Sequence, residues 1–154
     1  MEIHQIGEIM LVKKFNLGRT FAGRLDYNSD LLNSINQICI ENKIDAGFIN
    51  IIGALSTFQT GFFKQDEKKY IKLTPPEATE PLEICSCSGN ISLKEGMPFA
   101  HLHIVASDRN GQCLGGHLME GCKVYAAEFH IQEIKGASLI RQIDKETMLP
   151  LWTK

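Results

Sequence analysis

The segment Pro98–Glu120, PFAHLHIVASDRNGQCLGGHLME, constrains the fold more tightly than any other part of the chain. It reads as a single β-hairpin carrying three of the five histidines. Strand side chains alternate between faces, so His101 and His103 project together. Asp108-Arg109-Asn110-Gly111 is a strong turn signal, and Gln112–Met119 can return beside the first strand. A three-residue loop, Arg109-Asn110-Gly111 with Gly111 left-handed, sets His117 opposite His103, with His101 diagonal on the same face. A two-residue Asn110-Gly111 loop sets His117 opposite Ile104 and turns it to the other face. Gly115-Gly116 could also absorb one residue as a bulge.

In the first register three neutral imidazoles converge on one point. That is a site for a divalent metal, with zinc the best match to nitrogen donors, held by His101, His103 and His117. The competing reading is a set of half-buried strand histidines satisfied by hydrogen bonds. An isolated His-x-His is usually that, and the third histidine at hairpin spacing tips the balance toward metal. Three protein ligands leave one tetrahedral position open, the pattern of catalytic zinc. Glu95, Asp108, Glu120 and Glu128 are the acids nearest in sequence, and spacing fixes none of them as a general acid or base. No glycine-rich loop leads into a helix, so Gly89 and Gly115-Gly116 read as backbone devices rather than phosphate cradles. His4 and His130 read as ordinary residues, and Arg24 as a surface ion-pair partner.

Length and composition fit one compact domain over residues 1–154: 44% of residues are hydrophobic and 22% charged. The net charge of −2 gives no bulk attraction to nucleic acid or anionic lipid, and Lys and Arg never run beyond pairs. The N-terminal MEIHQIGEIMLVKKF lacks the charge order and apolar core of a signal peptide, and no apolar run reaches membrane-spanning length. Five cysteines form an odd set, which fits reduced thiols in a cytoplasmic protein. Cys85-x-Cys87 would place two thiols on one strand face, but no Cys-x-x-Cys is present, and the cysteines read as small, mostly buried strand residues.

Met10–Asp26 reads as strand and turn, with Phe15, Leu17 and Phe21 alternating. A helix should begin at Asn28 or Ser29, carry Leu31, Leu32, Ile35, Ile38 and Cys39 at helical spacing, and end near Asn42-Lys43. Gly47–Leu55 is β-rich, and Thr57–Lys64 with Lys69–Leu73 reads as a hairpin. A proline-rich connection, Thr74–Pro81, leads to Leu82–Ser88 and Asn90–Leu93, which bracket Gly89 as a bend or bulge. After the histidine hairpin, Lys123–Ile134 is β-like, and Trp152 reads as an anchor for the C-terminal tail. Many strands with one clear helix argue an α+β domain with a largely antiparallel sheet.

Several of these stretches together resemble the PPC (plants and prokaryotes conserved) domain family. The matching residues are Gly23–Tyr27, Gly53-Ala54, Pro81–Ile84 and Ser88–Ser92, then Pro98-Phe99 with His101 and His103, Gly111, Gly115–Leu118, Ala127-Glu128 and Leu151-Trp152. The resemblance implies an α/β (α+β-like) fold, a mixed, mostly antiparallel sheet flanked by helices, assembled as a homotrimer. It also implies that His101, His103 and His117 match zinc ligands of the prokaryotic members. Those members carry a DNA-binding label, while plant members pair the domain with an AT-hook whose Arg-Gly-Arg-Pro core reads the minor groove. Arg19 and Arg24 lie in no such context, so DNA is poorly supported as a partner and the oligomerising role carries over better. A small-molecule ligand at the metal, or a metal that only stiffens an oligomerisation module, remain the other readings.

Overall fold

The computed structural model describes residues 11–73 and 80–153. His4 and most of the proline-rich connection fall outside them. Among the described residues there are ten strands and a single helix. β1 (Asn16–Leu25) leads to α1 (Leu31–Glu41) and β2 (Gly47–Leu55). β3 (Thr60–Lys64) and β4 (Lys69–Leu73) form the expected short hairpin. β5 (Leu82–Lys94), β6 (Met97–Ser107), β7 (Cys113–Leu118) and β8 (Val124–Lys135) follow, and β9 (Ile140–Ile143) and β10 (Pro150–Trp152) close the chain. The sheet runs β1-β8-β2-β5-β6-β7-β3-β4, with β9 joining the end of β5 and β10 pairing β9. Every pairing is antiparallel except β5 with β9, so the sheet is mixed but almost wholly antiparallel. This is a sheet-rich α+β fold, and the flanking helices implied by the family reduce to α1 alone among the described residues.

The helix forms where its apolar spacing indicates, but its cap is Asp30 rather than Asn28 or Ser29. Asn28 has a positive φ of 63° and the Ser29 hydroxyl donates to Asp26 O, so both belong to the preceding turn. The Asp30 carboxylate accepts from Asn33 N at 3.1 Å and also from Gly121 N at 2.8 Å, which ties the helix start to the turn after β7. Leu31, Ile35 and Cys39 are fully buried against Ile49, Ile91, Leu102 and Ile104 on one face of the sheet. Burying each of the larger side chains contributes about 1.5–3 kcal/mol, which is what holds the helix in place. Asn36 Oδ1 accepts from Ala100 N at 2.8 Å, satisfying a β6 donor at a residue that β7 does not pair.

With α1 covering one face, the described residues leave the opposite face of β2, β5 and β6 open. Phe48, Asn50 and Ile52 of β2 are exposed there, while Gly47, Ile49 and Ile51 point inward. Two local expectations are corrected in β5. It is one continuous strand through Gly89, because the glycine answers a close crossing rather than a break: a Cβ there would lie 1.9 Å from His101 O. The irregularity falls instead between Ile84 and Ser86, and it turns Cys85 outward while Cys87 stays buried, so the two thiols do not share a face. Cys39 and Cys122 are buried and Cys113 is exposed. No helix among the described residues is long and apolar enough to cross a membrane.

Candidate metal centre

The hairpin from β6 to β7 takes the three-residue loop. Asp108 N donates to Gln112 O and Gly111 N to Asp108 O, both at 3.0 Å, with Gly111 at φ 74°. The Asp108 carboxylate accepts from Asn110 N and Gln112 N and so is committed to the turn. His103 therefore pairs with His117. The same row continues on the open face through Ser88 of β5 to Asn50 of β2 and His130 of β8. His130 is three strands from His103, about 14 Å at ordinary strand spacing, and takes no part in the cluster.

The three rings meet closely. Centroids lie 5.2 Å apart for His101 and His103, 5.0 Å for His101 and His117, and 5.5 Å for His103 and His117. One ligand nitrogen from each lies within 4.8 Å of the others. Burial pushes His101 and His117 down to about 4, helped at His101 by the Arg141 charge and its fellow histidines and at His117 by His103 and Arg141. Both are thus neutral near pH 7 and present lone pairs. His117 Nδ1 is buried with no hydrogen-bond partner, an unsatisfied polar atom of the kind that a metal or ligand accounts for.

Two neighbours escaped the sequence reading. Tyr70 of β4 lies over His117, ring centroids 4.8 Å apart. Its approach depends on Gly61, which pairs with His117 and where a Cβ would come within 3.1 Å of Tyr70 Cδ1 and 2.8 Å of Met119 Sδ. Arg141 of β9 reaches His101, Nη2 to Nδ1 3.2 Å. A guanidinium only donates, so Nδ1 of His101 is the acceptor in this arrangement and Nε2 carries the proton; the ring's one lone pair is held by Arg141, and His101 ligates a metal only when that contact gives way. The sequence carries no distinct signal for Arg141, which lies between Ile140 and Gln142 in the short strand Ile140–Ile143, and nothing local ties that strand to the hairpin. His101 and His117 also line a cavity of about 400 Å³ bounded by β4, β6, β9 and the turn into β10. None of the four acids considered from sequence lines it: Glu95 and Glu120 lie in exposed turns, Asp108 in the hairpin loop, and Glu128 on β8 opposite Ile52.

The sequence matches the Plants and Prokaryotes Conserved (PCC) domain over residues 12–135. A solved metal-containing protein from Archaeoglobus fulgidus is 38% identical, with 94% of this chain and all of that one aligned at a TM-score of 0.85. A plant- and prokaryote-conserved protein from Pyrococcus horikoshii is 34% identical, covering 94% of this chain and 98% of its own, at 0.86. A protein from Bacteroides thetaiotaomicron described as a DNA-binding candidate is 25% identical at a TM-score of 0.79, with 90% and 96% covered. The bifunctional protein GlmU of Synechococcus is 29% identical over 131 residues, and the chain spans about a fifth of the length of such curated relatives, 19% in this case. By the profile match and by its likeness to the two archaeal proteins, the chain belongs to the Plants and Prokaryotes Conserved domain family.

Proposed function

We propose that the chain is a metal-binding member of this family that holds one divalent ion, zinc by its ligand chemistry, through His101, His103 and His117. The observation that carries the reading is the convergence of three imidazole nitrogens within 4.8 Å on the open face of the sheet. The donor set fits: His101 and His117 are kept neutral by burial, the unpartnered Nδ1 of His117 gains a partner, and His101 exchanges its hydrogen bond from Arg141 for the metal. The A. fulgidus relative described as metal-containing supports it. When bound, the ion would supply a Lewis-acid position able to polarise an oxygen ligand. The protein's own part is to fix two histidines on β6 and one on β7 by hairpin register, and to wall the centre with Tyr70 and Arg141. Elemental analysis of the purified chain tests this, with about one metal per chain expected and none in His103→Ala.

A homotrimer is proposed alongside it. Phe48, Ile52 and Val105 are 52%, 60% and 40% exposed on the same open face as the histidines, and apolar side chains gathered on one face favour burial by another subunit. Light scattering should give three times the 17.2 kDa chain mass, and a monomer at micromolar concentration would refute it.

A further inference from the structure

The cavity beside the histidines has a charge problem that the protein leaves unsolved. Arg141 is buried, 7% exposed, yet its hydrogen-bond partners are all neutral: Ser92 Oγ, Asn90 Oδ1, Pro150 O and His101 Nδ1. Among the described residues no carboxylate pairs with it. A buried cation ordinarily has a counter-charge. Lys68, Lys69 and Lys94 line the same cavity, and among the described residues no Asp or Glu does. Lys69 shares the Glu67 carboxylate with Lys64, whereas Lys68 donates to the backbone oxygen of Glu146 and Lys94 Nζ lies 5.2 Å from the Phe99 ring centroid. Asp144, beside the wall of the cavity, accepts from Thr147 and its charge acts on Lys68, so it offsets that lysine and leaves Arg141 and Lys94 without a counter-charge. Three neutral histidines would leave a bound divalent ion uncompensated too, so the local sum is strongly positive. The rest of the lining is apolar and aromatic, with Phe63, Ile143, Met148 and Leu151 among it.

We propose that this cavity binds a small organic anion, a carboxylate or phosphate group on an apolar body. Arg141 and Lys94 take the anionic end beside the histidines, and the aromatic and aliphatic wall takes the body. The proposal deepens the metal reading: the anion supplies the charge that His101, His103 and His117 do not. Anion and metal should then bind cooperatively, each tightening the other by the same factor.

The test is calorimetric titration of the full chain, metal-free and zinc-loaded, with acetate, benzoate, inorganic phosphate and phenyl phosphate. Benzoate or phenyl phosphate is expected to bind at least about tenfold tighter than its body-less counterpart, and the better of the two names the headgroup. Zinc loading should tighten binding further. Arg141→Met and Lys94→Ala should each weaken it about tenfold or more, and in Lys94→Ala, which touches none of the histidines, zinc content read by elemental analysis should stay at the wild-type level. Arg141 also bridges β9 and β10 to β5, so Lys94→Ala, at a half-buried position that bridges no strands through its side chain, keeps the test decisive if Arg141→Met fails to fold. If the chain takes up no zinc, the metal reading fails. Benzoate and phenyl phosphate binding to the metal-free protein then decides: dependence on Lys94 and Arg141 upholds the anion site. No binding at millimolar ligand, or equal binding by the variants, overturns it. Nanomolar binding of mixed-sequence duplex DNA lost in the same variants would overturn the small-ligand assignment in favour of a phosphate-backbone surface.

Discussion

Gly89→Ala should damage the protein far more than its size suggests. Gly89 pairs with Leu102 across β5 and β6, and a Cβ there would lie 1.9 Å from His101 O, 2.9 Å from His101 C and 3.0 Å from Leu102 Cα. All three atoms are backbone, so no side-chain rotamer can relieve the clash. To restore even a 3.0 Å contact the His101 carbonyl must recede by roughly 1 Å, enough to break the adjoining ladder hydrogen bond. Overpacking costs about 1–3 kcal/mol, and a lost ladder bond adds about 1 kcal/mol, so a destabilisation of about 3 kcal/mol is expected. For a chain of this length that lowers Tm by about 6–12 °C. Urea unfolding monitored by circular dichroism measures it, with Ser88→Ala on the exposed neighbour as the control. Because the displaced segment carries His101 and His103, metal affinity should fall with stability. A stability change within about 0.5 kcal/mol would refute the inference that Gly89 exists for this crossing.

Two more outcomes follow from burial. In chelator, the metal-free chain should lose stability as pH falls from about 6.5 toward 4, because unfolded His101 and His117 take up protons near the ordinary value and the folded rings only near 4. Solvent reaches both rings, so the loss is about 1–2 kcal/mol per ring. Urea midpoints across that range should decline less steeply in a His101→Asn, His117→Asn double variant, and parallel declines would contradict the assignment. A thiol reagent should label Cys85 and Cys113 quickly in the folded protein. Cys39 and Cys87, pushed up by burial to about 12, and Cys122, to about 11, should react only after denaturation.

The histidine cluster was legible because every term in its geometry is local. Strand alternation puts His101 with His103, and one turn with a left-handed Gly111 decides where His117 falls. The helix was legible from apolar spacing, yet its cap was not, since the second partner of Asp30 is Gly121, 91 residues away. The rest of the site is equally non-local. Arg141 reaches His101 only because β9 runs parallel to the end of β5, a pairing that no local pattern announces. Tyr70 meets His117 through a strand, β3, whose glycine gives it room. Gly89 and the cysteine pair show the same limit, since a glycine marks either a break or a close approach, and a bulge between Ile84 and Ser86 parts two thiols that alternation puts on one face.

The central claim is a metal held by three histidines, and elemental analysis of the chain after zinc loading and exhaustive dialysis tests it most directly. About one zinc per chain in the wild type is expected, with none in His103→Ala or in the triple alanine variant of His101, His103 and His117. Unchanged zinc in the triple variant, or none in a folded wild type, would contradict it.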